Sequence, residues 1–389
     1  MDLTPTCSRD EQEAYEFQML ASYAFKSRDS KTTPKDERTV FHRDQDVITY
    51  SENHDRMQGK SQVFPSYYHD HFRTRSTHTD QVRSIAKGLC KILRLNRELA
   101  EAIALGHDLG HTPFGHKGED ILDQKLIDKG IEEGFDHNKQ SWRICKKLGC
   151  SYETLEGLLK HESPWDPKTN RYEGDEEKPL LEAQVVDLAD EIAYTAHDLK
   201  DGLKAGILKL EDVKKLELWK RAEDVALKET SENEDEEEYI SKCVSAIIRV
   251  LIHDSKDASI TNIQKNKINT VEDVRNAKEK LIIHSKKILE ELEEARSYLD
   301  KNLYKSDTVV GLLKIADHII GPLFDYYLKN PKEMQPHYYD RIVEGDEQNN
   351  LMVIRDYVAG MTDQFAIDEA LKHNIITQQE VHEMSQMQS

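Results

Sequence analysis

The chain has 389 residues, 37% of them hydrophobic and 33% charged, and its 54 Lys and Arg against 74 Asp and Glu give a net charge of −20. An acidic field of that size argues against broad, non-specific binding to nucleic acid or to anionic membranes, although a local cluster of arginine and metal can still hold an anionic substrate. No apolar run reaches the ~18 residues of a membrane span, the N-terminus lacks the basic start and apolar core of a secretory signal, and five cysteines without a CxxC pair make no disulfide framework; a cytoplasmic protein without membrane contact is expected.

Only 10 Pro and 17 Gly are present, which favours helices over a turn-rich β protein. Residues 1–50 read as a charged N-terminal arm, 51–205 as a compact helical core and 206–389 as a mostly helical C-terminal region that completes the substrate site and any oligomer contacts. Within the core, Val82, Ile85, Ala86, Leu89, Ile92 and Leu93 fall on one face of a 3.6-residue helix. A second helix begins near Asn96, carries Leu99, Ile103 and His107 at four-residue spacing, and ends at Gly106 and Gly110 before Pro113. Residues 162–178 have loop composition, 180–203 form a third long helix, the acidic run 229–238 is a solvated link, and 271–304 is a further long helix rich in i,i+4 charge pairs. Period-2 alternation is scarce, so the fold class is mainly α with little strand.

Histidines cluster: seven of the 17 lie between His69 and His137, more than twice an even share. His107 and Asp108 close an apolar helix, where ionic side chains are costly to bury without a partner. A divalent cation is the natural partner, because imidazole and carboxylate together suit Mn, Mg, Fe, Ni or Zn. His78 lies on the apolar face of the preceding helix and points inward toward His107. On the third helix Asp190, Tyr194 and Asp198 share one stripe, so His78, His107, Asp108 and Asp190 can converge from three helices on one ion, with Asp187 the alternative to Asp190. Other His-Asp pairs (His54-Asp55, His69-Asp70, His197-Asp198, His253-Asp254) are expected at the surface, Asp198 excepted.

The H…HD…D pattern resembles that of the HD-domain metal-dependent phosphohydrolases. The likeness extends to SQVF (61–64), HFRTRSTHT (71–79), LNRELAEAIALGHDLGHTPFGHKGED (95–120), GFDHNKQS (134–141), LEGLLKH (155–161) and LADEIAYTAHDLKDG (188–202), and through these the chain resembles the dGTPase-like deoxynucleoside triphosphate triphosphohydrolases. That resemblance implies an HD-domain helical core with additional C-terminal helices. It also implies hydrolysis of a dNTP, dGTP among them, to deoxynucleoside and inorganic triphosphate by attack at the α-phosphorus. A homo-oligomer, such as a hexamer, and a nucleotide or single-stranded DNA effector are implied by the resemblance only.

His116 and Glu119 are three residues apart and share a helical face, so Glu119 can orient His116, which can protonate the leaving O5′. His111, a third catalytic candidate, and His137 are expected on the triphosphate side, with Asp136 capping a helix whose N–H groups face the anion. Arg75, three residues before His78, can bring a permanently charged fork to the phosphates. Gln62, Tyr194 and Asp198 resemble the family's deoxyribose-recognition residues. Where some relatives place a phosphate-binding lysine directly after the metal aspartate, this chain has Glu191. An HD-type nucleotide phosphodiesterase or 5′-nucleotidase would need the metal core but not these two sets, and a non-catalytic nucleotide or single-stranded DNA binding regulator would need neither an intact ligand set nor an acid.

Overall fold

The computed structural model describes residues 20–22, 38–64, 72–162, 177–226 and 235–386. Most of the expected N-terminal arm, of the loop at 162–178 and of the acidic run at 229–238 lies outside the described residues, as does His69-Asp70. The protein is all-helical, as its sequence predicts; among the described residues the β pairing consists of an isolated bridge between Ser61 and Thr74. In chain order the helices used below are α1 (Val40–Thr49), α2 (Arg75–Ile92), α3 (Arg97–Gly106), α4 (Gly115–Asp128), α5 (His137–Leu148), α6 (Tyr152–Leu159) and α7 (Leu181–Lys204). They continue with α8 (Glu217–Ala226), α9 (Glu236–Lys265), α10 (Lys286–Leu299), α11 (Ile315–Lys329), α12 (Glu347–Ala359) and α13 (Asp363–Lys372).

Contacts divide the chain into two compact units. One draws on the described residues up to Ile48, on Thr79–Gly106 and on Cys145–Leu303; the other on Thr49–His78, His107–Ile144 and the chain from Tyr304 onward.

The first unit is organised by α7. Almost every residue from Leu181 to Leu199 is buried, so this helix has no solvent face and α3, α6, α9 and α10 pack around it. Glu182 and Gln184 are tolerable there because irregular segments of the same unit donate to them. The Glu182 carboxylate accepts from the backbone N–H groups of Ser22 at 2.8 Å and Asn96 at 3.0 Å, and Gln184 Oε1 accepts from Leu281 N at 2.7 Å and Ile282 N at 3.2 Å. At α3, Asn96 Oδ1 accepts from Glu98 N and Leu99 N, which caps the helix where the sequence places its start. Gly157 permits α6 to close on α3, since a Cβ there would stand 2.4 Å from Ile103 Cδ1.

The expected helix over 271–304 is not continuous. A capped turn, Val271–Arg275, stops at Asn276. The chain then runs irregularly past Leu281 and Ile282, and α10 starts only at the Ser285 cap. The backbone N–H groups of Leu281 and Ile282 donate to Gln184 rather than along a helix, and this long-range bonding breaks the periodic pattern. After Leu299 the turns widen into a π-helical stretch, Asp300–Tyr304.

In the second unit α4, α11, α12 and α13 enclose one apolar core, in which Phe114, Leu122, Phe135, Phe324 and Tyr327 are fully buried.

Asp44 on α1 tests how much the first unit relies on bonded buried carboxylates. It is fully buried and accepts from Ser151 N at 2.9 Å, Ser151 Oγ at 2.5 Å and Thr154 Oγ1 at 2.8 Å, tying α1 to the capped start of α6. Asp44→Ala leaves those donors unpaired and is expected to lower stability by about 3 kcal/mol in urea unfolding; a loss under about 0.5 kcal/mol would show that this bracket is dispensable.

Candidate active site

The second unit gathers most of the predicted site. Arg75 and His78 occupy the first turn of α2, and His107 and Asp108 follow the last residue of α3. His111 lies in the turn that leads to α4, His116 and Glu119 sit in the first turns of α4, and His137 opens α5. Two glycines explain why these segments can crowd together. A Cβ at Gly110 would stand 2.1 Å from the His137 carbonyl oxygen, and one at Gly118 would stand 2.0 Å from the Pro113 carbonyl oxygen. Ser141 on α5 fastens the 107–110 turn, donating from Oγ to His107 O at 2.7 Å and accepting from Gly110 N at 2.9 Å.

His78 and His107 are buried, with ring centroids 5.8 Å apart and ligand nitrogens within 4.8 Å of each other. The neighbouring Asp108 carboxylate is also buried and lies 3.4 Å from His107 Nε2, 3.2 Å from His111 Nε2 and 2.8 Å from Arg75 Nη1. Two adjacent imidazoles beside a carboxylate, all withdrawn from water, are a donor set that fits a divalent ion. Burial alone would raise the Asp108 carboxyl, but the charges of His107, Arg75 and His111 hold it well below the usual carboxylate range. His111 is itself lowered well below its usual value by burial, Arg75 and His137.

Beside this set stands a second one. The nitrogens of His111, His116 and His137 and the Glu119 carboxylate all lie within 4.8 Å of one another, so these groups too are spaced to hold a cation. His111 and His137 stack with centroids 3.8 Å apart, and His116 meets His111 edge-on at 5.0 Å. Three of the four are buried while His116 is exposed. Glu119 differs from expectation. Its carboxylate bonds to His137, accepting from the backbone N–H at 3.0 Å and meeting the ring Nδ1 at 3.0 Å, whereas His116 Nδ1 stands off at 3.6 Å. Burial would raise Glu119, yet His137, His116 and His111 together hold it well below the usual range. The His137 N–H therefore serves Glu119 and is not open to an anion. Asp136 does cap α5, accepting from Lys139 N at 2.9 Å.

Arg75 is buried and turned to Asp108 rather than solvated. Gln62 is half-buried, and its buried Oε1 accepts no hydrogen bond among the described residues.

The remaining predicted residues belong to the first unit. Asp190, Tyr194 and Asp198 are all buried on α7. Asp187 is committed elsewhere: it meets His161 Nδ1 at 2.8 Å and accepts from Lys280 Nζ at 2.6 Å and Glu162 N at 3.1 Å. Asp190 lies 3.5 Å from the other nitrogen of His161, a looser contact. Glu191 pairs with Arg296 on α10 at 2.6 Å. His197, expected at the surface, is buried in this helix, whereas His54 is half-buried and Asp55 and His253 are exposed.

Comparison with known proteins identifies the family. Residues 75–195 match the HD domain and residues 282–372 the phosphohydrolase-associated domain. A deoxyguanosinetriphosphate triphosphohydrolase-like protein of Geobacter sulfurreducens is 36% identical over 90% of this chain and 94% of its own. Those of Leptospira interrogans (35%, 92% and 97%) and Brucella ovis (37%, 85% and 88%) are similarly close. The chain belongs to the deoxyguanosinetriphosphate triphosphohydrolase-like family of HD phosphohydrolases.

Sequence reasoning missed several polar groups packed around these sites. His161 ends the quoted LEGLLKH motif, so its signal was present without a role attached. Lys60 directly precedes SQVF, and nothing in its own neighbourhood marks it as buried. Its Nζ donates to the carbonyls of His111 at 2.5 Å and Ala359 at 2.9 Å. Burial, then the charge of Arg75, lower its ammonium to about 7, with Arg56 adding to them and Asp363 and Asp108 opposing. The unfolded side chain titrates near 10.5, so between these values the unfolded chain binds the extra proton and rising pH stabilises the fold. The stability of the wild type relative to Lys60→Met should therefore improve from pH 7 to pH 9.5 in paired thermal unfolding scans. A difference that stays flat would mean Lys60 is charged throughout.

Proposed function

We propose that the protein hydrolyses deoxynucleoside triphosphates, dGTP among them, to deoxynucleoside and inorganic triphosphate. The observation that carries this reading is the single unit holding the buried His78 and His107, with Asp108 3.4 Å from His107, beside a buried Glu119 with three histidines around it. In this reading His78, His107, Asp108 and Asp190 hold one divalent ion, with Asp187 reserved for His161 and Lys280. When bound, such an ion supplies Lewis acidity toward a phosphoryl oxygen and lowers the pKa of an attacking water.

The chain's own residues do the rest. His116, the exposed member of its cluster, reaches the leaving O5′ and donates a proton to it. Glu119, ionised, holds His137 and keeps negative charge beside the stacked rings of His111 and His137, so that a proton placed on His116 is stabilised there. Arg75, aligned by Asp108, faces the phosphates with its remaining donors. Because Glu191 is neutralised by Arg296 rather than replaced by a lysine, Arg75 and the histidines carry more of the triphosphate charge here. Gln62 Oε1, Tyr194 and Asp198 recognise the deoxyribose, with the Tyr194 ring closing the space that a 2′-hydroxyl would need.

Protein loaded with Mn, then with Mg, incubated with each of the four dNTPs and with GTP, is the direct test, products being separated by chromatography. Deoxynucleoside and intact triphosphate are expected from dNTPs and not from GTP, with His107→Ala reducing turnover by at least ~10³-fold. Release of monophosphate and pyrophosphate would mean that the α–β phosphoanhydride is cleaved instead of the Pα–O5′ bond, and would overturn the triphosphohydrolase reading.

A further inference from the structure

The turn that delivers His116 and Glu119 does not hold its shape by local means. Phe114, the residue before α4, has φ 61° and ψ 25°, a left-handed conformation that a non-glycine residue adopts at a cost of about 1 kcal/mol. Its side chain gives the helix no capping hydrogen bond. Instead its N–H donates to Asp363 Oδ1 at 2.9 Å, across 249 residues of chain. Asp363 is fully buried, and its other oxygen accepts from Ser61 N at 3.0 Å and from the Ser61 hydroxyl. One residue earlier in space, Lys60 clamps the carbonyl of His111 to that of Ala359, the last residue of α12. The Phe114 ring is sunk in the core formed with α11, α12 and α13. Both the backbone and the side chain of the strained residue are thus gripped by the C-terminal helices of the same unit.

We propose that Asp363 is a positioning residue for catalysis: by holding the left-handed Phe114 it sets the direction in which α4 starts, and hence where His116 and Glu119 stand. The proposal rests on the reading of those two residues as catalytic. Gly118 leaves no slack in the arrangement, because α4 lies directly on the Pro113 carbonyl. If the Phe114 N–H lost its acceptor, the residue would relax out of the left-handed region and α4 would begin along a different path, moving both side chains together. Substrate contacts made by Tyr194 and Asp198 on α7 would be left in place, so the effect should fall mainly on turnover.

The test compares Asp363→Ala, Asp363→Asn and His116→Ala with the wild type, by dNTP turnover and by hydrogen exchange of the peptide spanning 110–119. Asp363→Ala should lower kcat by about 30-fold with KM within about 3-fold, as expected for a small misplacement of catalytic groups. It should also make the 110–119 amides exchange at least ~10-fold faster, whereas core amides of α11 keep their protection. Asp363→Asn, which keeps one oxygen for the Phe114 N–H, should recover most of both. Wild-type kcat in a folded Asp363→Ala protein, or unchanged exchange at 110–119, would overturn the proposal. If Asp363→Ala does not fold, Asp363→Ser, whose shorter side chain draws its oxygen back from the Phe114 N–H, takes its place with the same expected losses and the same overturning results. Should His116→Ala turn over normally, the catalytic reading falls, while the exchange data still report whether Asp363 holds the turn.

Discussion

Everything at this site depends on keeping ionised carboxylates out of water without leaving them alone. A buried carboxylate that lacks a partner costs several kcal/mol, and Asp108 is buried amid Arg75, His107 and His111. That one residue fixes the state of its surroundings. It orients the arginine, presents its oxygens beside two imidazoles and stays ionised. The same rule recurs on α7 with Asp187, which is enclosed by His161, Lys280 and the Glu162 N–H. A helix buried on all sides could otherwise carry only apolar residues. Glu182 and Gln184 near the start of α7 are tolerated because N–H groups from irregular segments, those of Ser22, Asn96, Leu281 and Ile282, end on them.

The arrangement also explains the glycines in the HD motif. Gly110 and Gly118 each lie where a methyl group would overlap a backbone carbonyl. Close approach of the backbone is what lets six side chains from three chain segments, His107, Asp108 and His111, His116 and Glu119, and His137, share so small a volume. The segments are then locked by short-range devices, such as the Ser141 hydroxyl between His107 and Gly110.

Much of this was legible in the sequence because the signals were local. The apolar stripe from Val82 to Leu93, the Asn96 start of α3 and the clustered histidines all follow from spacing and residue type. The positions that escaped notice are those whose role depends on a distant partner. Residues 271–304 carry a helical charge pattern, but the bonds from Leu281 and Ile282 to Gln184 are invisible to any window of neighbouring residues. Lys60 looks like a surface lysine until Ala359 and His111 are brought to it. Glu119 and His116 share a face as their spacing requires, yet the strongest bonds of Glu119 go to His137, eighteen residues on. Pattern identified the participants, and tertiary contact decided their partners.

The interleaving of the two units bears on how the protein matures. Each unit is assembled from separated stretches of chain, and the left-handed turn before α4 waits for a carboxylate 249 residues further along. Loops of that span close late, and contacts between distant residues slow folding. A ribosome adding roughly 5–20 residues per second would deliver Asp363 some ~12–50 s after Phe114. Through that interval the clustered histidines are already synthesised while their geometry is still unset, so a nascent chain carries the side chains of the site before it carries their arrangement.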